Sequence, residues 1–168
     1  MCHNKKYNSI NTTRILWWLF GAYCIALFVI LFMRKQVDIG LPYWEQVKMS
    51  INPVPFRSIY GSLYLIINRT NPHLILHEII NLLGNFVLFV PFGFFIPRLF
   101  RRYTAFTRFV LLTFVVLLFV ETLQAVTLIG CFDVDDILLN LAGAIIGFFI
   151  TRRLKLWKRQ DEKQNDPV

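Results

Sequence analysis

"IINLLGNFVLFVPFGFFIP", residues 79–97, runs nineteen side chains without one formal charge between Glu78 and Arg98. An α-helix rises about 1.5 Å per residue, so such a block covers close to the ~30 Å hydrocarbon core of a bilayer. Three further blocks share its character. Ile15–Met33 carries no charge, Phe109–Phe132 is broken only by Glu121, and Ile137–Thr151 is again uncharged. One block of this kind fits a buried helix of a soluble domain; four in 168 residues do not. The chain is 56% hydrophobic and 17% charged, whereas soluble domains average about a quarter charged. These features predict an all-α integral membrane protein. Its expected form is a four-transmembrane-helix bundle with spans at about 15–33, 77–97, 108–130 and 134–151. The ends would be an N-terminal tail over 1–14 and a basic, polar tail over 152–168. No small-x-small cleavage site follows "LFMRKQ", so the first block reads as a retained span rather than a signal sequence.

Charge sets the expected orientation. Lys and Arg number three before the first span, five in the 34–78 connection, four in 98–108, none in 130–136 and six from Arg152 onward. Positive residues stay in the cytoplasm, which places both termini and the 98–108 loop inside. Arg34 and Lys35, at the outer end of the first span, are the one local conflict. The net charge of +8 implies no nucleic acid, because the basic groups stand beside spans, where they meet anionic lipid. Of the three cysteines, Cys2 falls inside, Cys24 within the first span and Cys131 outside, so no internal disulfide is expected.

The 34–78 connection is long yet not hydrophilic. Pro42, Pro53, Pro55 and Pro72 forbid one continuous helix. Short helices at the outer interface are expected, with Tyr43, Trp44, Phe56, Tyr60 and Tyr64 at headgroup depth.

Polar groups within the spans carry the functional signal, since each costs free energy in hydrocarbon. His77, Asn81 and Asn85 share one helical face. Glu121 and Gln124 are one turn apart. Asp133, Asp136, Asn140, Gly143 and Gly147 fall on another single face, with Asp135 beside them. Helical rise puts Asn81, Asn85, Glu121, Gln124 and Asn140 at similar depth in the outer half of the membrane. An outward-facing polar pocket is therefore expected. Asp133 is also placed to cap the helix that follows it. Gly143 and Gly147 fit helix packing, and Pro91 with Gly93 fits a kink. Two roles are open to Glu121: a neutral tie to Asn81 or Asn85, or an acid or base in a wet cavity.

The ordered set "INPVPF", "NLLGNFVLFVPFGFFIP", Glu121-x-x-Gln124 and "DVDDILLNLAGAIIG" resembles the VanZ-like family over about residues 51 to 147. The resemblance maps that family's motif onto Asn52, Pro55, Phe56, Asn81, Asn85, Pro91, Gly93, Glu121, Gln124, Asp133, Asp135, Asp136, Asn140 and Gly143. It implies a bacterial multi-span protein of the cell membrane. The family's name comes from a protein associated with resistance to teicoplanin, a lipid-tailed glycopeptide antibiotic. Cys131-Phe132 departs from the basic or small polar residue that many relatives carry before the acids.

Three functions follow as expectations, the last of them a purely structural membrane partner. The first is an envelope protein that binds an amphiphile, an envelope lipid headgroup or a lipoglycopeptide, through Asn81, Asn85, Glu121, Gln124, Asp133, Asp136, Asn140 and Arg57. The second is a membrane enzyme on a lipid-linked substrate, with Glu121, Asp135 and Asp136 as acid/base candidates. No cofactor is required by the sequence. A divalent cation, Mg²⁺ or Ca²⁺, on Asp133, Asp135 and Asp136 is one answer to their mutual repulsion. Protonation and a basic partner, with Arg57 favoured, are the others.

Overall fold

The computed structural model describes residues 2–33, 40–68 and 71–154, with side chains from residue 13 onward. Arg34, Lys35, Arg69 and the tail beyond 154 lie outside the described residues. The chain runs α1 (Cys2–Phe32), α2 (Tyr43–Met49), β1 (Ile51–Asn52), α3 (Arg57–Asn68), α4 (Pro72–Leu88), α5 (Val90–Leu99), a single 3₁₀ turn (Arg101–Tyr103), α6 (Phe106–Val126), β2 (Phe132–Asp133) and α7 (Val134–Arg153). Among the described residues, four stretches are long and apolar enough to cross a membrane: Thr13–Phe32, Pro72–Leu99, Phe106–Val126 and Val134–Arg153. The first span belongs to a helix that starts at Cys2, so helix covers the residues expected as an N-terminal tail.

Pro91 breaks the second span. It has no N–H to offer the Val87 carbonyl, and its ring crowds that turn. The helix accordingly stops at Leu88, passes through Phe89 at φ −97°, and resumes at Val90. Freed backbone groups inside a membrane need partners from neighbouring helices. Tyr23 of α1 supplies one, its hydroxyl donating to the Leu88 carbonyl at 2.9 Å.

The core forms where α5 and α7 run side by side. Phe89, Phe92, Ile96, Phe109, Leu117, Ile137, Ala144 and Phe148 are its buried members. Phe109 stacks on Phe148 with ring centroids 4.8 Å apart. The two helices approach backbone to backbone through glycine. A Cβ on Gly143 would stand 1.8 Å from the Phe86 carbonyl oxygen, one on Gly147 2.0 Å from that of Val90, and one on Gly93 1.9 Å from that of Ala144. Gly143 and Gly147 thus meet residues spaced by the same four positions, so α7 runs parallel to α4 and α5. Gly93 packs rather than merely permitting the kink. α1 is peripheral: Phe20, Tyr23 and Leu27 touch the core, while Trp18, Ile25 and Phe28 are exposed.

α6 stops at Val126, four residues before the span end expected from hydropathy. Leu128 adopts φ 55° there. Ile129 N–H donates to the Gln124 carbonyl at 3.1 Å and Leu128 N–H to that of Ala125 at 3.2 Å, a Schellman closure built on leucine instead of glycine.

The outer connection contains helices, as expected, but also a two-residue strand. β1 and β2 pair in parallel, Ile51 with Phe132 and Asn52 with Asp133. Phe132 N–H extends the ladder by donating to the Ser50 carbonyl at 2.8 Å. Tyr43 ties α2 to the end of α6, its hydroxyl donating to the Val126 carbonyl at 2.7 Å.

Candidate functional site

The short ladder makes α3 and α7 begin at one point. β2 runs straight into α7, and β1 reaches α3 through residues 53–56, so both helix N-termini are held together. An N-terminus leaves unpaired N–H groups and partial positive charge. The acids supply what both helices lack.

Asp133 caps α7, accepting from Asp135 N–H at 2.8 Å. Its other oxygen accepts from the Asn52 side-chain amide at 3.2 Å and from the Ser58 hydroxyl. Asp135 faces the opposite way, into α3. Its carboxylate accepts from the backbone N–H of Phe56, of Ser58 at 2.7 Å and of Ile59 at 3.1 Å. It is fully buried. Phe56 stands at φ 65°, a left-handed conformation costly for a side chain of that size, and the Asp135 contact holds it there.

This corrects two expectations. Arg57 does not neutralise the acids. Its side chain is exposed and makes no ion pair among the described residues. The compensating charge comes instead from the N-terminal amides of the helix that Arg57 begins. Asp135 is also unsuited to acid/base work, because three backbone amides hold its two oxygens.

The remaining acids face the spans. Asp136 accepts from the Asn85 side-chain amide, which ties α7 to α4. Glu121 is 3% exposed and accepts from Asp133 N–H at 3.2 Å. The expected tie from Glu121 to Asn81 or Asn85 is therefore replaced: Asn85 goes to Asp136, and Asn81 makes no side-chain hydrogen bond among the described residues. Gln124 is buried and donates to the Leu31 carbonyl at 3.0 Å, a tie between α6 and α1. Burial, then the carboxylates of Asp133, Asp136 and Glu121, push the Cys131 thiol up.

Two buried acceptors in this region find no partner among the described residues: Asn52 Oδ1 and Asn140 Oδ1. Asn140 is 3% exposed. It follows Asp136 by one helical turn and precedes Gly143, and both of those residues meet α4. No group of three His, Cys, Asp or Glu side chains is arranged to hold a metal ion among the described residues.

Ser58, Phe56 and Ser50 were not singled out together by sequence reasoning. Their part depends on the ladder that folds the connection back, and two residues of strand leave no periodicity to detect.

Four apolar spans around a buried polar cluster define a multi-pass helical membrane protein. The chain belongs to the VanZ/LLP1 family, whose model matches residues 20–157, more than half of its length. No curated protein and no solved structure matches it.

Proposed function

We propose that this VanZ-like protein holds the headgroup of an envelope amphiphile, an envelope lipid or a lipid-tailed glycopeptide of the teicoplanin type, at the point where α3 and α7 begin. In this reading the site faces outward from the bacterial cell membrane and both termini are cytoplasmic. Binding there lowers the amount of antibiotic that reaches its target. The observation that carries the proposal is Asn140. Its buried Oδ1 lacks a hydrogen-bond donor, and an unsatisfied buried acceptor costs about 1–3 kcal/mol. Asp136 stands one helical turn before it on α7. A buried acceptor of this kind suits a ligand that brings an N–H or O–H donor.

The test is expression in a glycopeptide-susceptible host. Wild-type protein raises the inhibitory concentration of teicoplanin more than that of a glycopeptide without a lipid tail. Asp136→Asn and Asn140→Leu lose this protection at unchanged membrane abundance. Equal protection by both variants would sink the proposal.

A further inference from the structure

We infer that the end of the bundle opposite the acids is a binding site for one anionic phospholipid, its phosphate shared between the start of α6 and the end of α7. The inference concerns a different surface and does not rest on the headgroup reading above.

Charge is divided between the two ends of the molecule. Every described Asp and Glu belongs to α2, α4, the last two turns of α6 or the start of α7. The described cations of the opposite end are all arginine. Arg102 stands in the 3₁₀ turn, Arg108 in the first turn of α6, and Arg152 and Arg153 in the last turn of α7. These four are exposed and make no ion pair among the described residues. Segments beside a span gather Lys and Arg for orientation alone, but that account asks nothing of how the cations are arranged.

The arrangement here is specific. The Phe106 ring centroid lies 5.7 Å from that of Phe148 and 5.5 Å from that of Phe149. Arg108 follows Phe106 by two residues, and Arg152 and Arg153 follow Phe148 and Phe149 by one helical turn. The ring contacts thus bring the arginines of two helices to one place. α6 also begins without an anion. Ala105 makes no side-chain cap, the first turn holds no acid, and Arg108 is a cation where the helix dipole favours negative charge. A phosphate answers both needs, since guanidinium groups bind it in bidentate fashion. Apolar surface adjoins the arginines: Phe106, Phe149 and Ile150 are exposed along the seam of α6 and α7. Acyl chains can cover that seam while the phosphate meets the arginines, so the occupant is a lipid rather than a free anion. Its headgroup is anionic because a zwitterion would bring a second cation to a cluster that has no acid.

The experiment uses the full chain in detergent micelles and reads binding as the concentration-dependent rise in melting temperature. The probes are phosphatidylglycerol, phosphatidylcholine and glycerophosphoglycerol, the last being the first without its acyl chains. Phosphatidylglycerol should raise the melting temperature, and the other two at the same concentration should not. Arg108→Gln and Arg152→Gln should each shift the phosphatidylglycerol response to about tenfold higher concentration, the loss expected for a charge-assisted hydrogen bond. Arg14→Gln should leave the response unchanged. Arg14 is an exposed arginine at the same end, but it belongs to α1, where neighbouring Trp17 meets Phe100 and not the α6–α7 seam. Equal losses from all three variants would show diffuse attraction and overturn the site. An equal response to glycerophosphoglycerol would make it a free-anion site and overturn the lipid assignment. An equal response to phosphatidylcholine, or none to any probe, would overturn the inference outright.

Discussion

Asp133, Asp135 and Asp136 are consecutive or nearly so, yet each serves a different helix. Asp133 caps α7, Asp135 caps α3, and Asp136 reaches α4 through Asn85. Their repulsion is relieved largely by direction, since each carboxylate is aimed at a separate set of N–H donors. Asp135→Ala would leave three backbone N–H groups without an acceptor at a buried position. The expected loss is on the order of 3 kcal/mol. It should appear as a lower melting temperature in detergent and as reduced membrane abundance. Asp136→Ala, which removes the acceptor of the Asn85 side-chain amide rather than of a helix N-terminus, should keep near-normal abundance. Cys131 reports on the same cluster. Its raised pKa leaves little thiolate near neutral pH, so alkylation should be slow. Glu121→Gln removes one of the charges that raise it and should speed alkylation. An unchanged rate would mean that Glu121 does not act on this thiol.

At the level of elements, the bundle depends on where backbone meets backbone. Gly143→Ala would place a methyl group 1.8 Å from the Phe86 carbonyl oxygen, an overlap that only separation of α4 and α7 can relieve. Overpacking of this kind costs about 1–3 kcal/mol, and the shift would also pull Asp136 from Asn85. Gly84→Ala is the matched control. A Cβ there meets nothing within 4 Å, and alanine favours a helix by about 1 kcal/mol over glycine. Thermal denaturation of the two variants should therefore move in opposite directions. Equal destabilisation would show that the close α4–α7 approach is not what holds the bundle.

Across the whole molecule, the spans were legible because apolar runs of this length suit a bilayer and little else. The polar positions were legible because each stands out against hydrocarbon. Partners were not. Glu121 and Gln124 share a face, yet one meets the Asp133 backbone and the other the Leu31 carbonyl, and spacing along one helix does not choose between neighbours. The end of α6 was missed because Leu128 occupies a position where glycine is the usual signal. The tie between α3 and α7 was missed because it runs through a two-residue ladder and backbone amides, which have no residue signature.

Sidedness governs the functional account, since a site for envelope amphiphiles must open outward. Thirteen Lys and Arg residues fall on the side assigned to the cytoplasm and five on the other. Met49 is 69% exposed and adjoins Ser50, whose carbonyl accepts from Phe132 N–H beside Asp133. It therefore marks the side on which the site opens. The most direct measurement places Met49→Cys in a chain whose Cys2, Cys24 and Cys131 are replaced by serine, then treats intact cells with a membrane-impermeant maleimide. Labelling in intact cells, to the same extent as after lysis, is the predicted result. Labelling only after lysis would put the site in the cytoplasm and contradict the account.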